Sequence, residues 1–100
     1  MTKDQYNQEI SQDDTIVGFS APWCGSCKAL EPILKSITEV KTLKINIEDA
    51  MGVAESLQIR SLPTIAYYVN GELKIKESGV KSKDYILNKL KELKPWIHKK

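Results

Sequence analysis

Six residues, Thr15–Ser20 (TIVGFS), constrain this 100-residue chain more than any other stretch. They are rich in β-formers and mostly apolar, which fits a strand buried at the centre of a sheet and covered on both faces. The rest of the sequence supplies the cover. Thr2 followed by Gln5 has the pattern of a capping box, opening a short helix over about residues 3–10. Ala29, Leu30, Ile33, Leu34, Ile37 and Val40 recur at helical spacing, and Pro32 is expected to kink that helix rather than abolish it. Leu43–Ile47 (LKINI) reads as a second strand, and Asp49–Leu57 as a short helix weakened by Gly52. Thr64–Val69 (TIAYYV) reads as a third strand, after which Asn70-Gly71 turns the chain so that ELKIKES returns antiparallel as the fourth. Ser82 caps a last helix whose apolar face is Ile86, Leu87, Leu90 and Leu93 and whose end is set by Pro95.

The resulting order is α-β-α-β-α-β-β-α. Early strands joined through helices are expected to run parallel, with right-handed crossovers, and the last two strands to form a hairpin. The economical architecture is α/β, a mixed four-stranded sheet flanked by helices on both faces, in a single domain over residues 1–100. Tyr67 and Tyr68 alternate along the third strand, so one is expected in the core and the other outside.

Composition excludes several functions. Fifteen basic and 13 acidic residues leave a net charge of +2, too small to imply a nucleic-acid partner. The basic-aromatic stretch KPWIHKK at 94–100 reads as a solvated end with Trp96 folded against the body rather than as an anchor. The polar start MTKDQYNQEISQDD is no secretion signal, and no apolar run approaches the roughly 18 residues of a membrane helix. The expected protein is therefore a cytoplasmic monomer with no membrane or nucleic-acid partner, in a compartment where structural disulfides are rare.

That compartment sharpens the question posed by the two cysteines, Cys24 and Cys27, in APWCGSCKAL. Zinc takes about four ligands. The chain offers two cysteines and one histidine, His98, so no metal site is expected. Cys24 falls at the end of a strand-to-helix loop and Cys27 in the first helical turn. Unpaired amides and the positive end of the helix dipole there stabilise a thiolate, most of all at the first thiol, and thiolate is the form that attacks a disulfide. Two intervening residues let the second sulfur swing against the mixed disulfide and expel the product. A Cys-x-x-Cys placed between strand and helix thus reads as a redox pair.

The segment FSAPWCGSCKALEPIL resembles the active-site segment of the thioredoxin family, Trp-Cys-Gly-Pro-Cys-Lys followed by a helix proline. The likeness continues through LKINIED, IRSLPT, NGELK and ESGVKSKDYI, covering about Thr15 to Leu93 in the family's order. It implies a thioredoxin-like fold and a dithiol–disulfide oxidoreductase, with Cys24 the nucleophile and Cys27 the resolving thiol. Pro63 corresponds to the family's cis-proline, which would bring the backbone of Leu62 against the sulfurs to bind an extended substrate segment. Trp23, Leu62, Gly79 and Val80 would form the apolar rim. The implied substrates are disulfide-containing proteins, and the implied electron donor is a partner such as a thioredoxin reductase, with no cofactor in this chain.

The chain departs from the family where Gly18 stands in place of a buried Asp that helps take the proton from the resolving cysteine. Ser20 stands where many members carry Trp, and Ser26 replaces the usual Pro after Gly25. Gly18 is read both as permitting close packing and as leaving room. Lys44 matches the family lysine that lies near the Asp, so Lys44, or water beside Gly18, is expected to support thiolate formation at Cys27. Ser26 shifts the expected pair somewhat toward oxidising behaviour, with reduction still the favoured direction. Glu31, four residues after Cys27, has the helical spacing that would bring it near that cysteine, but the favoured reading is a solvated side chain. The family's N-terminal edge strand is expected to be missing or vestigial, leaving Leu43–Ile47 as an edge where Lys44 and Glu48 discourage aggregation. An alternative function is a thioredoxin-fold binding module that acts as a partner subunit without redox chemistry.

Overall fold

The computed structural model describes residues 1–11 and 13–94. The elements in chain order are α1 (Lys3–Ile10), β1 (Thr15–Ser20), α2 (Cys27–Ser36), β2 (Lys41–Asn46), a 3₁₀ turn (Ile47–Asp49), α3 (Met51–Ser56), β3 (Thr64–Val69), β4 (Glu72–Ser78) and α4 (Lys83–Leu93). The KPWIHKK residues from Pro95 onward, with Trp96 and His98, lie outside the described residues.

The strands form one mixed sheet in the order β2-β1-β3-β4. β1 is an inner strand, as its apolarity requires, and Thr15 to Phe19 are all buried. Alternation along the strands divides the core into two. Val17 and Phe19 of β1 and Ala66 and Tyr68 of β3 point to one face, where they meet Tyr6 and Ile10 of α1 and Val53 of α3. Ile16, Ile65 and Tyr67 point to the other, against Leu30 and Leu34 of α2 and Ile86 and Leu90 of α4. The tyrosine expectation therefore fails. Tyr67 and Tyr68 do alternate, but both are buried, because helices cover both faces.

β1 and β2 run parallel, as expected of strands joined through a helix. β3, also reached through a helix, instead runs antiparallel to β1, pairing Phe19 with Thr64 and Thr15 with Tyr68. The reason is length. The six residues of α3 span only about 9 Å. The six-residue strand it would have to run back along is about 20 Å long, so the chain re-enters the sheet at the end it left. β4 then returns antiparallel through Asn70 and Gly71, whose φ values of 53° and 81° are those of a tight hairpin turn.

Among the described residues no strand precedes β1, and β2 is an edge of the sheet. α1 opens on the expected capping box: the Thr2 hydroxyl accepts from the Gln5 amide, and the Gln5 side chain accepts from the Thr2 amide. α2 passes through Pro32 as an unbroken helix but stops at Ser36, short of the expected Ile37 and Val40. Ile37 is extended, yet its buried side chain still enters the core. Apolar spacing thus outlasts the helix because the chain keeps descending over the same sheet face.

Candidate active site

The topology gathers four loops at one end of the sheet. The C-terminal ends of β1, β2 and β4 and the N-terminal end of β3 all lie there, as the pairings Ser20–Asn46, Phe19–Thr64 and Thr64–Ser78 require. Cys24 and Cys27 follow β1, Ile47 and Glu48 follow β2, Leu62 and Pro63 precede β3, and Gly79 and Val80 follow β4.

Cys24 and Cys27 are joined as a disulfide, with Cα atoms 5.4 Å apart. The Cys27 amide, at the start of α2, donates to Cys24 Sγ at 3.3 Å. Ser26, the residue before the helix, makes no side-chain cap of its own. The Cys24 sulfur thus receives one of the helix's otherwise unpaired amides, the arrangement that stabilises negative charge on sulfur once the disulfide is opened. Ser26 Oγ lies 3.5 Å from the same sulfur. A hydroxyl there can donate to a thiolate, which a proline in its place could not do. Gly25, between them, is exposed and has open space beside it.

Cys24 is more covered than a free nucleophile at a loop end would suggest, retaining 8% of its surface against 6% for Cys27. Surroundings, not exposure, distinguish the two. Both pack with Ala21 against Ile47 and Leu62. Cys27 alone of the pair also lines a pocket of about 220 Å³ that reaches beneath α2 to Gly18. Trp23 stands outward, 67% exposed, with its indole N–H donating to Glu48 at 3.1 Å.

The Leu62–Pro63 peptide is cis and Pro63 is buried. Gly79, at φ 97°, donates its amide to the Pro63 carbonyl at 2.9 Å, tying the β3 and β4 loops together and presenting exposed Val80 beside them. Of the expected rim residues, Leu62 packs against the cluster formed by Ala21 and the two cysteines. Trp23 precedes Cys24 in the chain, and Gly79 and Val80 follow β4 at the same end of the sheet. Sequence reasoning missed Ile47 and Glu48 as members of this site. Their only signal was position, directly after a strand that ends beside β1.

Gly18 and Lys44 both line the pocket with Cys27. A Cβ added at Gly18 would collide with Leu34 Cδ1 and come within 3.7 Å of Leu30 Cδ2, so α2 occupies much of the room a side chain would need. The Lys44 ammonium is bonded to the Glu31 carboxylate. That hydrogen bond, reinforced by the lysine's charge, holds the Glu31 carboxyl below its usual range. Glu31 thus lines the pocket and is paired with Lys44, while both side chains keep contact with solvent, as a solvated reading of Glu31 expects.

The chain matches the family model described as Thioredoxin over residues 1–92. A thioredoxin of Rickettsia felis is 35% identical across 99% of this chain and 94% of its own length. A thioredoxin of Rickettsia conorii is 36% identical across 94% and 90%. Among solved structures, a mutant thioredoxin from Halobacterium salinarum superposes with a TM-score of 0.82 at 23% identity, over 90% of this chain and 83% of that one, a likeness of fold. A helix-capped pair of cysteines on such a sheet, in a chain related to these proteins along nearly its whole length, belongs to the thioredoxin family of thiol–disulfide oxidoreductases.

Proposed function

We propose that this protein works as a reductant of protein disulfides, with Cys24 as the nucleophile and Cys27 as the resolving thiol. The observation that carries the assignment is the amide of Cys27 donating to Cys24 Sγ at the head of α2. It favours charge on Cys24, whereas Cys27 faces the pocket behind. In the reduced protein the Cys24 thiolate attacks one sulfur of a substrate disulfide. The substrate S–S bond breaks, a Cys24–substrate disulfide forms, and the departing sulfur takes up a proton. Cys27 then loses its proton and attacks Cys24, expelling the second substrate sulfur. Two electrons have passed to the substrate, and the protein is left in the disulfide form seen here.

The substrate segment lies extended along Leu62, the rim residue packed against the cluster that holds the cysteines. Trp23, Gly79 and Val80 cover its flanks. Pro63 and Gly25 shape the approach to the sulfurs, and Ser26 steadies the Cys24 thiolate. The disulfide is returned to the dithiol by a thioredoxin reductase or an equivalent donor, and the protein acts as a monomer in the cytoplasm, where such donors maintain thiols.

Insulin reduction tests the reading. The dithiol protein is expected to reduce insulin's interchain disulfides. Cys24→Ser abolishes turnover, and Cys27→Ser accumulates a mixed disulfide through Cys24. Full activity in the Cys24→Ser protein would defeat the assignment. Loss of insulin reduction with undiminished support of a partner enzyme would favour the binding-module alternative. Equilibration with glutathione fixes the direction, and a strongly oxidising potential would remove reduction as the physiological role.

A further inference from the structure

The pocket beneath Cys27 carries a single carboxylate. Its lining includes Cys27, Lys28 and Glu31 from α2 and Lys44 from β2, while β1 and the loop after it present no titratable group. Glu31 lies four residues after Cys27, one turn further along the same helix face. Its carboxylate is not left to wander, because Lys44 reaches from the neighbouring edge strand to hold it. At about 220 Å³ the space is many times what one water molecule requires, and its walls carry several polar partners for solvent.

We infer that Glu31 accepts the Cys27 proton, relayed through solvent in this pocket, as Cys27 attacks the mixed disulfide, and that Lys44 is the positioning residue for that carboxylate. The inference rests on the roles proposed above for the two cysteines. The proton leaves Cys27 Sγ and arrives on a Glu31 carboxylate oxygen. The Cys27 sulfur bonds to Cys24, the Cys24–substrate bond breaks, and the substrate leaves as a thiolate. Glu31 then returns its proton to solvent. Lys44, with a smaller contribution from Lys35, lowers the Glu31 carboxyl, so what Lys44 adds is position, at the expense of some basicity. The arrangement also gives a chain with glycine at position 18 a carboxylate from α2 in place of one from β1.

Stopped-flow reaction of the reduced protein with dithiobis(nitrobenzoate) separates the steps. The first thionitrobenzoate released reports attack by Cys24, and the second reports resolution by Cys27. In Glu31→Gln the second release is expected to slow about tenfold at neutral pH. That is less than the 10²–10⁴ of shielded acid–base groups, because solvent shares this pocket. Its rate should also rise about tenfold per pH unit from 6 to 8, as expected when only pre-formed thiolate attacks, where the wild-type rate is nearly flat. Glu31→Asp, which keeps the carboxylate, should recover part of the rate, a rescue that a purely structural role would not produce. Far-UV circular dichroism and the thermal midpoint of each variant establish that it is folded. An unchanged rate and slope in Glu31→Gln overturns the inference in favour of solvent alone. A faster second release overturns it in favour of a freed Lys44 stabilising the thiolate. If the wild type shows no second release, it is the proposed cysteine roles that fall.

Discussion

Gly18 shows how one position can be occupied by a neighbour rather than by its own side chain. Its strand conformation is ordinary, and what excludes a Cβ is the Leu34 methyl of α2. α2 therefore approaches β1 closely, and the pocket under Cys27 is what remains beside that contact. Gly18→Ala is expected to destabilise the fold by about 1 kcal/mol, the low end of overpacking, because the atom displaced is the end of the Leu34 side chain and both residues border the pocket. The measurement is the urea midpoint, with a matching Gly18→Ala in a Leu34→Ala background. The glycine substitution should cost markedly less there, because the two sites share one volume. Equal costs in both backgrounds would mean that Leu34 turns aside freely and the close approach is not enforced by packing.

At the scale of elements, capping residues were the most legible feature and boundaries set by side-chain turns the least. Thr2 and Ser82 cap α1 and α4 as their sequence contexts indicate, with the Ser82 hydroxyl accepting from the Tyr85 amide at 3.1 Å. Thr2 is exposed and its hydroxyl serves only the cap. Thr2→Ala should thus cost about 1 kcal/mol in chemical denaturation through the cap alone, and a change within 0.3 kcal/mol would show that α1 is held by Tyr6 and Ile10 without it. The β-rich run Leu43–Ile47 predicts that β2 reaches Ile47. It ends at Asn46, whose side chain accepts from the Glu48 amide at 2.9 Å and starts a 3₁₀ turn. That local competition lies in the Asn side chain and is invisible to an apolar count. It also matters for the site, since the turn sets Ile47 against the cysteines and Glu48 against Trp23. The cysteine pair was legible from its spacing between strand and helix, and Pro63 and Gly79 from the resemblance to the thioredoxin family. Glu31 was not, because its pairing with Lys44 depends on how α2 lies across the sheet relative to β2, a tertiary fact that helix periodicity does not contain.

Across the whole molecule, the two cores report on each other through their tyrosines. On one face the Tyr6 and Tyr68 hydroxyls bond at 2.8 Å in a buried pair. On the other, Tyr67 donates to Glu77 at 3.0 Å, and the exposed Tyr85 donates to the same carboxylate at 2.7 Å. Burial, above all, pushes Tyr6 and Tyr67 upward from the ordinary 10.0, aided at Tyr6 by the Tyr68 bond and at Tyr67 by the charge of Glu77. Tyr68 is also raised by burial, with its bond to Tyr6 acting in the opposite sense. The folded state therefore holds these protons at pH values where the unfolded chain releases them. Their contribution is complete below the ordinary tyrosine value and declines as pH climbs beyond it, so stability falls on the alkaline side. Because the two clusters share the strands of one sheet, they are expected to open to solvent together. A titration above pH 10 should accordingly show three tyrosines ionising together, with a tyrosinate absorbance midpoint that coincides with loss of the far-UV circular dichroism. Tyr85, at the surface and raised chiefly by its bond to Glu77, should ionise ahead of that transition. Stepwise ionisation of Tyr6 or Tyr67 in a protein that keeps its dichroism would show that one core can loosen alone, and the coupling of the two faces through β1 and β3 would have to be abandoned.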